Sequence, residues 1–411
     1  MIKDTCIQIR NAIDLVSDTV GCIQNFSEKD WEEAVSGRLE ADLKSVIESV
    51  NTELLESSKV CFCRLDDLAG NKMDPAYREE LVRQCFCWLD KIPKILEKQY
   101  YAENVWDERF IRLMDRIQYV DFDMIMENVK DSLMNRKAAE IENLCKYYQR
   151  FQDMWGTLDV NNNRYDVAVN RVTVLKEHRE DFIWLYNRLG DQRSRLVLTS
   201  MLYNWLTFDT AYIMGMKEAN YSDYFDLDLV KCDADEVIAD LGAWTGDSAL
   251  NYIRTYGKYK KIYCYEIDES STEIMRKNLA EYPDIEIRNK GVGDKNSVGY
   301  LVKLSDSSCN KITEYNTGQK VEVVCLDEDI EEKITLIKMD IEGAEQDALR
   351  GSIRHIQEES PKLLVSVYHN NEDIWKIPRM ITDMDSDYQL YLRSNGKQWG
   401  PAEIVLLAIH E

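Results

Sequence analysis

Proline, glycine, histidine and positive charge are all scarce in this chain of 411 residues. It holds 6 prolines, 17 glycines and 4 histidines. No proline occurs between Pro93 and Pro283, which excludes a turn-dense architecture there and favours long helices. Lysine and arginine total 51 against 75 acidic residues, a formal net charge of −24, with no basic run to offset it. Such a surface repels phosphate backbones and anionic membrane faces, so nucleic acid and membrane are not expected partners. No apolar stretch approaches the length of a membrane span. The N-terminus, MIKDTCIQIRNAIDLV, has no signal-peptide core. The 11 cysteines are odd in number and scattered, which fits reduced thiols in a cytoplasmic protein better than a disulfide framework.

What the chain does have is core-forming material. Apolar residues make up 45%, with 9 Trp, 23 Tyr and 9 Phe, enough for two or three folded units. Residues 1–220 contain 6 of the glycines and 2 of the prolines, and the remaining 191 residues contain 11 and 4. Segments 107–150 and 178–218 carry apolar residues at helical spacing, and FSEKDWEEA suggests a helix start capped by Ser27. GTLDVNNNRYD (156–166) is taken as a linker or long loop. The expected organisation is a helical domain over 1–160 of unread role, a helical lead-in over 161–235, and an α/β domain over 236–411.

In that last domain, short β-branched runs alternate with helices: EVIADLG, KIYCYEID, IEIRNKGV, VEVVCLD, TLIKMDI and PKLLVSVYH. Helical patterns fill 247–256, 270–281, 345–357 and 373–384. This alternation predicts a Rossmann-like parallel sheet with right-handed crossovers. YQLYLRS (388–394) and EIVLLAIH (403–410) then form an antiparallel hairpin that ends the sheet, an ending more typical of methyltransferases than of dinucleotide dehydrogenases.

Three motifs carry chemistry. DLGAWTGD runs from Asp240 to Asp247 between a strand and a helix, and Gly242 and Gly246 let its backbone turn and approach a ligand. The helix start offers free N–H groups to a nucleotide, a pyrophosphate included. Trp244 stands where many such loops have glycine. Glu266 ends the next strand, 26 positions after Asp240, where an acidic residue accepts ribose hydroxyls. IKMDIEGAE crowds Lys338, Asp340, Glu342 and Glu345 around a strand-to-helix turn, all four expected to face the cofactor crevice. Asp340 and Glu342 could hold a divalent metal, but no further ligand is evident nearby and no metal is assigned. His369 ends PKLLVSVYH at the carboxyl edge and is the best candidate base, since imidazole titrates near neutrality. Asp340 and Glu342 are its rivals as bases or orienters. Two CFC triplets, Cys61/Cys63 and Cys85/Cys87, suggest zinc, yet LVRQCFCWLDKI reads as helix, where such neighbours point to different faces.

DLGAWTGD, YEID, NKGVGD, VVCLDEDI, IKMDIEGAE, ALRG and PKLLVSVYHNNEDIWKIP occur in the order and spacing of the FkbM family of methyltransferases, which this chain resembles over about 181–411. DFIWLYNRLGDQRSR and YFDLDLV resemble the lead-in of bacterial members. The resemblance implies a class I fold, S-adenosylmethionine as cofactor, and O-methylation of a hydroxyl, often on a sugar or polyketide. It further implies that Asp240, Gly242, Ala243, Trp244 and Gly246 form the cofactor loop, that Glu266 binds the ribose, and that Asp294 lies near the adenine. The expected partner is a small-molecule or glycan acceptor, with a homodimer through the helical half compatible. Alternatives left open are a peptide or carrier-bound substrate docked on that half, a nicotinamide-dependent oxidoreductase, and a non-catalytic partner-binding protein.

Overall fold

A computed structural model describes residues 104–221, 223–303, 310–396 and 399–410. The Ser27 cap and both CFC triplets lie outside the described residues. The chain divides into two compact units, Met1–Asp115 and Arg116–Glu411, and the site lies in the second. Among the described residues, no helix is long and apolar enough to cross a membrane.

The segment before the sheet is helical: Val105–Tyr119, Phe122–Met134, Ala138–Arg150, Asp166–Glu177, Arg179–Arg188, Gln192–Thr207 and Thr210–Met216. Phe122–Met134 buries Ile125, Met126, Val129 and Leu133, one stripe at helical spacing. Asp191 and Asp209 cap their helices by accepting from the Ser194 and Ala211 N–H groups. The stretch expected as a linker is instead a packed ribbon. Strand β1 (Leu158–Asp159) pairs antiparallel with β2 (Arg164–Tyr165), and both Leu158 and Tyr165 are buried. Asn163 supplies the left-handed residue of its turn, a conformation Asn tolerates. The polar tip was legible in the sequence, but the burial of its flanks was not.

The main sheet has seven strands: β3 (Val237–Leu241), β4 (Lys261–Tyr265), β5 (Ile285–Arg288), β10 (Leu336–Met339), β11 (Lys362–Ser366), β12 (Tyr388–Ser394) and β13 (Ile404–His410). Their order is β12-β13-β11-β10-β3-β4-β5. Contacts among β5, β4, β3, β10 and β11 are parallel, while β13 runs antiparallel to both its neighbours. Every residue of β3 is buried, as a central parallel strand covered on both faces requires. Strand order reverses between β3 and β10, and open α/β sheets bind ligands at the carboxyl ends beside such a reversal.

Two expectations need correction. VEVVCLD does not join the main sheet. Its strand, β9 (Lys320–Val324), belongs to a separate four-stranded sheet with β6 (Gly291–Val292), β7 (Ser297–Val302) and β8 (Lys311–Thr313). IEIRNKGV accordingly splits between β5 and β6. β-branched composition marks a strand but does not say which partner it pairs with. The helix expected over 345–357 is two, Glu345–Arg350 and Ile353–Glu359, broken at Gly351. A Cβ on Gly351 would lie 2.0 Å from the Gly293 carbonyl oxygen.

The hairpin edge strand β12 is closed by the helical lead-in. Leu392 N donates to Ser194 Oγ at 2.9 Å, and Gly190 N donates to the Leu390 carbonyl at 2.9 Å. A covered edge cannot pair with another chain. Arg393, buried, bonds Asp226 Oδ2 at 2.6 Å and Asp191 Oδ2 at 2.7 Å. Arg393→Met should lower unfolding stability by about 3 kcal/mol, because Asp226 would keep a buried charge with only half-exposed Arg193 nearby. Urea denaturation checks this, and an unchanged midpoint would contradict it.

Candidate active site

The loop after β3 is held by its neighbours before any ligand enters. Gly242 N and Ala243 N both donate to the Tyr265 carbonyl, at 3.0 and 2.9 Å. Gly242 has φ +80°, and a Cβ there would lie 1.9 Å from the Asp340 carbonyl oxygen. Gly246 has φ +82°, and a Cβ there would meet Met275 and Leu279 at 2.9 Å. Protein packing against the loop therefore already requires both glycines, whatever a ligand adds. Gly242→Ala should cost about 2–3 kcal/mol in urea unfolding, combining overpacking with a disfavoured φ. A wild-type midpoint would show that the loop can yield.

Trp244, also left-handed at φ 43° and 37% exposed, donates its backbone N–H to Glu266 Oε2 at 2.9 Å. Glu266 Oε1 accepts from Asp268 N at 2.8 Å. Glu266 therefore sits at the carboxyl end of β4 and ties loop to strand. Burial pushes its carboxyl up to about 7, against the Asp268, Trp244 and Ile267 N–H groups that draw it down.

Asp240 and Lys338 are register neighbours on β3 and β10, and they pair at 3.1 Å, both buried. Lys338 Nζ also donates to the Gly242 carbonyl at 2.7 Å, and Ser248 Oγ donates to Asp240 Oδ2. Burial lowers the Lys338 pKa, but the Asp240 and Asp340 carboxylates outweigh it and raise it. Lys338 was expected to face the crevice. It instead braces the loop from beneath, because strand pairing puts it beside Asp240. Asp294 lies exposed in the bend after β6.

IKMDIEGAE delivers the remaining groups. Asp340 N donates to the Leu241 carbonyl at 3.0 Å, continuing the β3–β10 ladder by one residue. Glu342 (φ 58°) and Gly343 (φ 99°) then reverse the chain. Glu345, fully buried, accepts Ile341 N at 2.9 Å and Gly343 N at 3.0 Å, so it shapes the turn and does not face the crevice. Tyr224 OH donates to Asp340 Oδ2 at 2.6 Å. YFDLDLV, read in the sequence only as lead-in, thus supplies both Tyr224 and Asp226.

His369 follows β11 and is 1% exposed. Its Nε2 lies 3.4 Å from Asp340 Oδ1 and 3.6 Å from Glu342 Oε2. Nδ1 lies 2.9 Å from Glu345 Oε1, an ion-pair distance with the oxygen off the ideal N–H line. Burial lowers the His369 pKa, but Glu345, Glu342 and Asp340 outweigh it and raise it to about 10. Burial lifts Glu342 to about 7. In this state the imidazolium is the counter-charge of the cluster, not the free base that unperturbed imidazole would be. The neighbouring Tyr368 carbonyl accepts Trp155 Nε1 at 2.8 Å, anchoring the helical segment to the strand end that carries His369.

A seven-stranded sheet with this order, a glycine loop after its central strand and an acid ending the next is the class I methyltransferase fold. Residues 240–398 match the family described as Methyltransferase FkbM domain. Among solved structures it is similar to Methyltransferase FkbM from Methylobacillus flagellatus KT. Identity is 24%, coverage is 64% of this chain and 70% of that one, and the TM-score is 0.52. It is also similar to an rRNA methylase from Streptococcus thermophilus, at 15% identity, 44% and 89% coverage and a TM-score of 0.29. No curated protein matches.

Proposed function

We propose that this protein is an S-adenosylmethionine-dependent O-methyltransferase that modifies a hydroxyl on a sugar, polyketide or other small molecule. One juxtaposition carries the reading. The glycine loop, Glu266 and the Asp340–Glu342–His369 cluster share the carboxyl edge of one sheet at its reversal of strand order. The residues fit a nucleoside cofactor. The Trp244, Asp268 and Ile267 N–H groups meet the Glu266 carboxylate and leave at least one of its four lone-pair positions for a ribose hydroxyl, and Trp244 presents an exposed aromatic side chain. S-adenosylmethionine, when bound, supplies an electrophilic methyl group.

The chain's own residues do the rest. Glu266 and the loop orient the nucleoside. The cluster holds the acceptor hydroxyl, and a carboxylate of Asp340 or Glu342 takes its proton. Positioning the oxygen in line with the methyl contributes most of the acceleration. The net charge of −24 favours a non-nucleic-acid acceptor. A peptide or carrier-bound acceptor is the second reading, favoured by the Trp155–Tyr368 bond that couples the helical segment to the site.

Calorimetric titration with S-adenosylhomocysteine and with NADH tests the cofactor. Binding of the first alone is expected. Binding of NADH alone would make the protein an oxidoreductase, and binding of neither would favour a non-catalytic role.

A further inference from the structure

The sequence offered Asp340 and Glu342 as a carboxylate pair with no third ligand beside them. The fold supplies one from the next strand, 29 positions beyond Asp340. Asp340 Oδ1, Glu342 Oε2 and His369 Nε2 lie within 4.8 Å of one another. All three atoms are buried, and none has a hydrogen-bond partner among the described residues. Buried polar atoms are nearly always hydrogen-bonded, and here the imidazolium meets the two carboxylate oxygens only at ion-pair distance, so three converging atoms without a hydrogen bond leave a place for a cation that replaces the Nε2 proton.

We infer that Asp340, Glu342 and His369 are the protein ligands of a divalent first-row cation, of which Mn2+ suits the donor set. Two carboxylates and one imidazole, with no thiol, favour such a hard to borderline ion. Metal–ligand distances of about 2.0–2.2 Å separate neighbouring ligand atoms by about 2.9–3.6 Å. The 3.4 and 3.6 Å separations from Nε2 fall in that range. The surroundings are those of a metal ligand set. Tyr224 engages only Asp340 Oδ2 and leaves Oδ1 free, and the left-handed backbone of Glu342 accompanies the approach of its Oε2 to Nε2. Glu345 stands against Nδ1, as carboxylates commonly do behind a ligating histidine. With three protein ligands, coordination positions stay open to an oxygen-bearing acceptor.

The inference rests on these residues and not on the cofactor reading, and Mn2+ alone is the probe. The metal-stripped full chain is titrated with Mn2+ and free ion is followed by electron paramagnetic resonance. One Mn2+ per chain should bind at micromolar concentration, and Glu342→Gln and His369→Gln should each weaken it at least about 30-fold. Asp387→Asn is the control, since Asp385, Asp387 and His410 form another carboxylate–histidine group, with Asp387 exposed, at the β12–β13 edge. It should leave binding unchanged. Should His369→Gln fail to fold, the isosteric Glu342→Gln decides alone. No bound Mn2+ at about 1 mM, wild-type binding in Glu342→Gln, or loss in Asp387→Asn would overturn the assignment. S-adenosylhomocysteine titration is unaffected by that outcome, so the two readings fail separately.

Discussion

Glu266→Ala should weaken S-adenosylhomocysteine binding by about 1.5–3 kcal/mol, roughly 10- to 150-fold. The change removes the proposed acceptor of the ribose hydroxyls and the anchor of the Trp244 N–H. Calorimetry on folded variant reads it directly, and unchanged affinity would remove Glu266 from the site. The same carboxyl makes two pH predictions of opposite sign. Its value of about 7 in the folded chain exceeds the ordinary 4.5, so the folded state binds more protons between those values. Stability therefore falls as pH rises through that window, by up to about 3 kcal/mol, and Glu266→Gln should abolish that share of the slope. Ligand affinity moves the other way. On the proposed binding mode ribose hydroxyls donate to the ionised form, so S-adenosylhomocysteine should bind roughly tenfold more weakly at pH 6 than at pH 8. Equal affinity at both would mean that the ligand does not see this ionisation.

His369→Ala should have the largest effect on chemistry. It removes the positive partner of Asp340, Glu342 and Glu345, which face it from the β10 turn at 2.9–3.6 Å. Breaking a buried pair costs about 3–5 kcal/mol, because the remaining charges stay desolvated. Urea unfolding near pH 7 should show a loss of that order. Methyl transfer, read as S-adenosylhomocysteine released with an accepted hydroxyl substrate, should fall by roughly 10²-fold or more. Affinity for S-adenosylhomocysteine should stay nearly intact, because Glu266 and the loop lie on β3 and β4 while His369 lies beyond β11. Full activity would dismiss His369 from the reaction. A parallel loss of cofactor affinity would place it on the cofactor side instead.

Much of the fold was legible because it rests on local pattern. The strands of the main sheet, the helix after DLGAWTGD and the closing hairpin each follow from short-range alternation and turn residues. Glu266 could be placed because the end of an apolar run is visible in sequence. The roles of Lys338 and Glu345 could not be. Both are charged residues in a motif that reads as a site, yet pairing with Asp240 and with the turn's own N–H groups buries them. The signal for Lys338 was present but weak: a lysine within a buried strand needs a carboxylate on its neighbour.

By itself, then, the sequence determined the class of sheet, the loop, the acid after β4 and the motif that names the family, because each is written within a few consecutive residues. Only the tertiary structure decided that β9 leaves the main sheet, that the helical lead-in seals β12, and that Tyr224 and Trp155 reach the site. It alone brought His369 Nε2 within ion-pair distance of Asp340 and Glu342. Those outcomes depend on strand order and on contacts between residues tens to hundreds of positions apart, where local propensity carries no information.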